Sequence, residues 1–145
     1  MNNLQEVQEF LDKIPNINRG GCGISAISMY RWLKKNKGIK SKFIFLYGDD
    51  FVGRFISELN YICVQEGNLK DMDGPYHIML LVDNKIIDSS GEDISYELVQ
   101  DLNIDEEIMI TLLENNKINP EFNWKKWLPI IEFELEIQLN DLNIH

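Results

Sequence analysis

Two hydrophobic rhythms divide this chain into segments. Leu4, Val7, Phe10, Leu11 and Ile14 fall at steps of three, three, one and three across Asn3 to Lys13, which predicts a short amphipathic helix stopped by Pro15. A loop from Pro15 to Gly21 follows. From Cys22 the apolar positions Ile24, Ala26, Ile27, Met29, Tyr30, Trp32 and Leu33 run nearly all round a helical cylinder, with Lys34 and Lys35 in the last turn and Gly38 as the stop. A helix of that kind has to be mostly buried. Lys42 to Tyr47 is short, apolar and aromatic and reads as a buried strand ended by Gly48-Asp49-Asp50. A helix is expected from about Asp50 to Asn60, while Tyr61 to Gln65 fits either its continuation or a strand, and Gly67 to Pro75 reads as loop.

The second half mixes the rhythms. Tyr76 to Val82 and Lys85 to Asp88 flank Asp83-Asn84, a pair that tolerates positive φ and predicts a tight hairpin. Two helical patterns follow, Asp93 to Leu102 and Asp105 to Asn116, each with acidic residues in its first turn. Pro120 opens a short segment in which Trp124 and Trp127 are expected to pack as core or cover. Ile131 to Leu139 alternates apolar and polar without a break and predicts a half-exposed strand, with Glu132, Glu134 and Glu136 as the wet face of a sheet edge. Helices first, then antiparallel strands with helices inserted, make the expected class α+β. With no internal repeat or low-complexity linker, residues 1–145 read as one domain.

Composition narrows the function. A hydrophobic content of 44% over 145 residues is enough for a packed core. The formal net charge of −10, from 24 acidic and 14 basic residues, speaks against neutralising nucleic-acid phosphates or docking on an anionic membrane. No apolar stretch approaches the length of a membrane span, and Met1 to Glu6 lacks the basic-then-apolar layout of a secretory signal, so the expectation is a cytoplasmic protein with reduced thiols. Cys22 and Cys63 with one internal histidine, and no CxxC or HxxxH spacing, do not form a zinc pattern. Asp49-Asp50 and Asp71-Met72-Asp73-Gly74 do not continue into a calcium loop and read as solvated turns. No metal and no cofactor is expected.

What remains is a thiol, an imidazole and a carboxylate. Cys22 stands in Asn18-Arg19-Gly20-Gly21-Cys22-Gly23, where a glycine entry feeds a helix. The unpaired N–H groups and positive dipole end at a helix start favour the thiolate, which is the nucleophilic form. Cys63, inside Tyr61-Ile62-Cys63-Val64, reads as core. His145 is terminal, which leaves His77 as the candidate general base. If Asp83-Asn84 is a two-residue turn, Asp88 falls opposite Met79 and shares a face with His77, within diagonal reach of about 7–8 Å at the backbone. A three-residue turn would put the two on opposite faces.

Gly20-Gly21-Cys22-Gly23-Ile24-Ser25-Ala26 opening a buried helix, His77 opening a strand, and Asp88 on the next strand before Ser89-Ser90-Gly91 resemble the papain-like thiol hydrolases in the broad sense, including their transglutaminase-like, C39-like and NlpC/P60-like branches. The resemblance runs from about Asn16 to Gly91. It implies a papain-like fold with the cysteine helix packed on an antiparallel sheet, and a peptide or protein substrate. It also implies a reaction in which Cys22 attacks an acyl carbon, His77 moves the proton and Asp88 orients His77. Members often carry a Gln or Asn shortly before the cysteine as an oxyanion donor; this loop has no Gln, which leaves Asn16 or Asn18, with the backbone around Gly21 and Cys22, for that role. The competing reading is a catalytically silent relative of phage or bacterial type that binds or inhibits a protein partner.

Overall fold

The computed structural model describes residues 1–47, 58–93, 103–118 and 120–138. Helix α1 (Leu4–Asp12) starts where Asn3 Oδ1 accepts the Glu6 N–H at 2.9 Å, and it buries Val7 and Leu11. Helix α2 (Cys22–Lys37) is buried on every side from Cys22 to Tyr30, as its all-round apolar pattern requires. It ends at Gly38, whose φ of +65° is the left-handed conformation that closes a helix without Cβ strain, with the Ile39 N–H returning to Leu33 O at 3.3 Å.

The chain then forms β1 (Lys42–Leu46), α3 (Glu58–Glu66), a 3₁₀ turn at Leu69–Asp71, β2 (His77–Val82), β3 (Lys85–Asp88) and β4 (Gly91–Asp93). The strands make one antiparallel sheet in the order β1-β2-β3-β4. Asp83 and Asn84 both have positive φ, +49° and +65°, so the hairpin is the two-residue turn whose twist suits flanking strands, and Val82 pairs with Lys85. Helices α4 (Glu106–Glu114), capped by Asp105 onto the Ile108 N–H, and α5 (Trp124–Leu135), capped by Asn123, complete an α+β structure.

Helix α2 is the centre of the packing, touching β2, β3, α1, α4 and α5. Phe43, Phe45, Ile78, Leu80 and Ile87 face it from the sheet and join the main core, while Ile44, Leu46, Met79 and Ile86 form a second cluster on the opposite face. Trp124 and Trp127 pack half-buried against the main core.

The expected C-terminal strand is overturned. Ile131 to Leu135 is not a strand but the last part of α5, and Glu136 ends the helix in the left-handed region at φ +53°. Leu128, Ile131 and Leu135, spaced by three and four, are buried, whereas Phe133, which an alternating strand would bury with them, is 80% exposed. Glu132, Glu134 and Glu136 therefore belong to a helix and its cap rather than to a sheet edge. Tyr61 to Gln65 is helix, as part of α3. Asp93 closes a strand, and the rest of the helix expected over Asp93 to Leu102 lies outside the described residues, as do Gly48 to Ser57 of the expected turn and helix.

Candidate functional site

The site starts at a crowded glycine. A Cβ on Gly21 would lie 2.7 Å from Ile17 O, 2.8 Å from Ile17 Cα and 2.9 Å from Phe122 Cδ1, so only glycine lets the loop and Phe122 close together at the head of α2. Gly21 is the N-cap and supplies no side-chain cap, and the first helical hydrogen bond runs from the Ser25 N–H to Gly21 O at 3.0 Å. Cys22 thus occupies the first position of a helix, where the dipole and N–H groups favour an anion.

The sheet brings the partners to that end. His77 opens β2 and Asp88 closes β3, so the antiparallel hairpin places both at the same end of the sheet. Extending the register from Val82–Lys85 sets Asp88 across from Met79 and on the face of His77. Asp88 Oδ2 and His77 Nε2 are 3.0 Å apart. The Cys22 thiol lies beside the same ring, near enough to favour its protonated form. With Nε2 committed to Asp88, the ring nitrogen left for Cys22 is Nδ1. One imidazole therefore joins a thiol from α2 to a carboxylate from β3.

The electrostatics follow from those contacts. Burial by itself would lower the pKa of His77, but the hydrogen bond to Asp88, the neighbouring Cys22 thiol and the negative charge both partners can carry raise it from 6.5 to about 9. A shift in that direction favours the imidazolium at neutral pH, with a proton on each nitrogen. Exposure does not distinguish the two cysteines, at 8% for Cys22 and 5% for Cys63; the imidazole does.

The carboxylate is held on both oxygens. Ser90 N–H donates to Asp88 Oδ1 at 2.8 Å, leaving Oδ2 for the ring. Gln8 Nε2 of α1 donates to the Asp88 carbonyl at 2.8 Å, and Ser90 Oγ donates to Asp12 Oδ1 at 3.2 Å. Gln8 and Asp12 escaped the sequence reading; their signal is a polar i, i+4 pair beside the buried Val7 and Leu11 stripe of α1.

The residues considered for the oxyanion fall in different places. Gly21 stands at the helix start next to Cys22. Asn16 is exposed at a left-handed turn, φ +62°, where its carbonyl accepts the Arg19 N–H at 2.9 Å. Asn18 turns its amide nitrogen to Ser89 Oγ at 2.8 Å and Ser90 Oγ at 3.0 Å, at the Asp88 turn. Cys63 lies in the main core.

Among the described residues no group of three or more His, Cys, Asp or Glu side chains could hold a metal ion, and no helix is long and apolar enough to cross a membrane. Compared with known protein families, with curated proteins and with solved structures, the chain matches none.

Proposed function

We propose that this chain is a cysteine-dependent hydrolase or acyltransferase of papain-like design, acting on a peptide, isopeptide or related amide or thioester bond. The observation that supports it is one imidazole paired with an oriented carboxylate and set beside a helix-start thiol, all from separate stretches of the chain. In this mechanism Cys22 Sγ bonds to the acyl carbon and the bond to the leaving amine breaks, while His77 passes its Nδ1 proton to the departing nitrogen. Water then adds to the thioester and gives a proton back to His77. The C–S bond breaks, the acid leaves and the starting pair is restored; in acyl transfer an amine or alcohol takes the place of water. Asp88 holds the ring and stabilises its charge throughout. The Cys22 N–H, at the head of α2, serves as a donor for the oxyanion.

The test uses p-nitrophenyl acetate as a generic acyl donor. The expected result is a burst of p-nitrophenol stoichiometric with protein, an acetyl group on Cys22 by mass spectrometry, and loss of both in Cys22→Ala. A burst that survives Cys22→Ala, or none in the wild type, overturns the reading.

A catalytically silent protein-binding module is the second reading, favoured by the engagement of the Asn18 amide at the Asp88 turn and by a thiol only 8% exposed. A binder keeps its partner when Cys22→Ser is made, and an enzyme loses turnover.

A further inference from the structure

Asn18 lies four residues before Cys22, in the loop that delivers the nucleophile, yet its side chain reaches the turn after Asp88. Its Nδ2 group donates to Ser89 Oγ at 2.8 Å and Ser90 Oγ at 3.0 Å, with Asp12 Oδ1 at 3.3 Å. A carboxylate only accepts, so the amide nitrogen and not the oxygen must face this cluster. On the other side, Asn18 Oδ1 is buried with no hydrogen-bond partner among the described residues, where donation alone secures the amide. The turn it grips is the one that aims Asp88, because the Ser90 N–H occupies Oδ1 and leaves Oδ2 to His77. Helix α1 holds the same turn from its other side, through Gln8 on the Asp88 carbonyl and Asp12 on Ser90 Oγ.

We propose that Asn18 is a positioning residue: by clamping the Ser89-Ser90 turn to the Cys22 loop it sets the direction of the Asp88 carboxylate, and through it the ring of His77 against the thiol. This rests on the cysteine-enzyme reading and deepens it, since it assigns Asn18 to the orienting side of the site. An oxyanion donor would need the same N–H groups aimed at the acyl oxygen beside Cys22, and they are spent on the turn. Among the described residues the ionisable groups bearing on the ring are Cys22 from α2 and Asp88 from β3, with Asp12 of α1 beyond Asp88 through Ser90, whose N–H meets Asp88 and whose hydroxyl meets Asp12.

The experiment makes Asn18→Ala in the full chain, follows the His77 ring by NMR across pH, and measures iodoacetamide alkylation of Cys22 and Cys63 by peptide mass spectrometry. The expected result is a His77 midpoint lowered by about one pH unit and Cys22 alkylation slowed roughly tenfold near pH 6.5, with Cys63 unchanged. Ser89→Ala, which removes the other end of the 2.8 Å bond, shifts the midpoint the same way and serves if Asn18→Ala does not fold. An unchanged His77 midpoint in a folded variant overturns the proposal, and if acyl transfer nevertheless falls, Asn18 is an oxyanion donor instead. Failure of the enzyme reading is a separate result: no p-nitrophenyl acetate burst in the wild type, even though the His77 midpoint still moves in the variant.

Discussion

His77 carries two opposed influences, and their balance sets the pH behaviour of the molecule. Burial disfavours the imidazolium, while Asp88 and Cys22 favour it strongly enough to hold the pKa near 9 against 6.5 in an unfolded chain. The folded state therefore binds this proton more tightly. Its stabilising contribution is complete below about pH 6.5 and is lost as pH rises through about 9. Urea midpoints should fall between pH 6.5 and pH 9.5 in the wild type and vary less over that window in Asp88→Asn, which keeps an acceptor but not the charge. On the proposed chemistry Asp88→Asn should also cost roughly 10²-fold or more in acyl transfer, measured as the rate of the acylation burst. Reactivity should separate the cysteines, with iodoacetamide at pH 6.5 labelling Cys22 well before Cys63, which lies in the core with no imidazole partner among the described residues. Cys22, His77 and Asp88 were legible one at a time because each carries a local mark: a glycine entry, the only internal imidazole and a strand end beside a turn. Gln8 and Asp12 carry none that singles them out, since a polar residue on an amphipathic helix is ordinary until its neighbour across the fold is known.

At the scale of elements, ends are set by special backbone positions and middles by packing. Gly21 is the sharpest case. Gly21→Ala forces a Cβ against Ile17 O and Phe122 in a site that has no room, and overpacking of this kind costs about 1–3 kcal/mol. The expected signature is a lower melting temperature together with slower alkylation of Cys22, because the strain falls on the residue that places the thiol. The hairpin shows the same logic: Asp83-Asn84 was readable as a two-residue turn, and that turn alone determines which face Asp88 takes relative to His77. Helix α5 shows the opposite. Its last five residues, Ile131 to Leu135, open an alternating run that looked like a strand, and its exposed Pro129 adds no helical preference, yet these five folded as helix.

The whole molecule explains that choice. Helix α2 is apolar all round and must be covered on every side; the sheet covers one side, α1 and α4 others, and α5 packs against what remains. A helix presents Leu128, Ile131 and Leu135 to the core as one stripe and sends Phe133 outward. Ile131→Ala, at a fully buried position, should cost about 2–5 kcal/mol in chemical unfolding. Phe133→Ser should change stability by no more than about 0.5 kcal/mol, and an equal loss from both would restore the strand. The last turns of α2 add polar ties on the same side, Arg31 to Glu106 of α4 and to the Gln138 carbonyl, and Lys35 to the Glu136 carbonyl.

Sequence alone determined the segments whose limits are written in residues with few conformational options: α1 and α2 between their caps and glycines, the buried strand β1, the Asp83-Asn84 hairpin and the thiol at a helix start. Local sterics and hydrogen bonding decide these, and both act between near neighbours. Tertiary structure alone decided that Ile131 to Leu135 is helical, that Asn18 grips the Asp88 turn, and that Gln8 and Asp12 brace that turn from α1. Those outcomes depend on which surface is left to cover and which donor meets which acceptor across some seventy to eighty residues of chain, and no short window of sequence contains both partners.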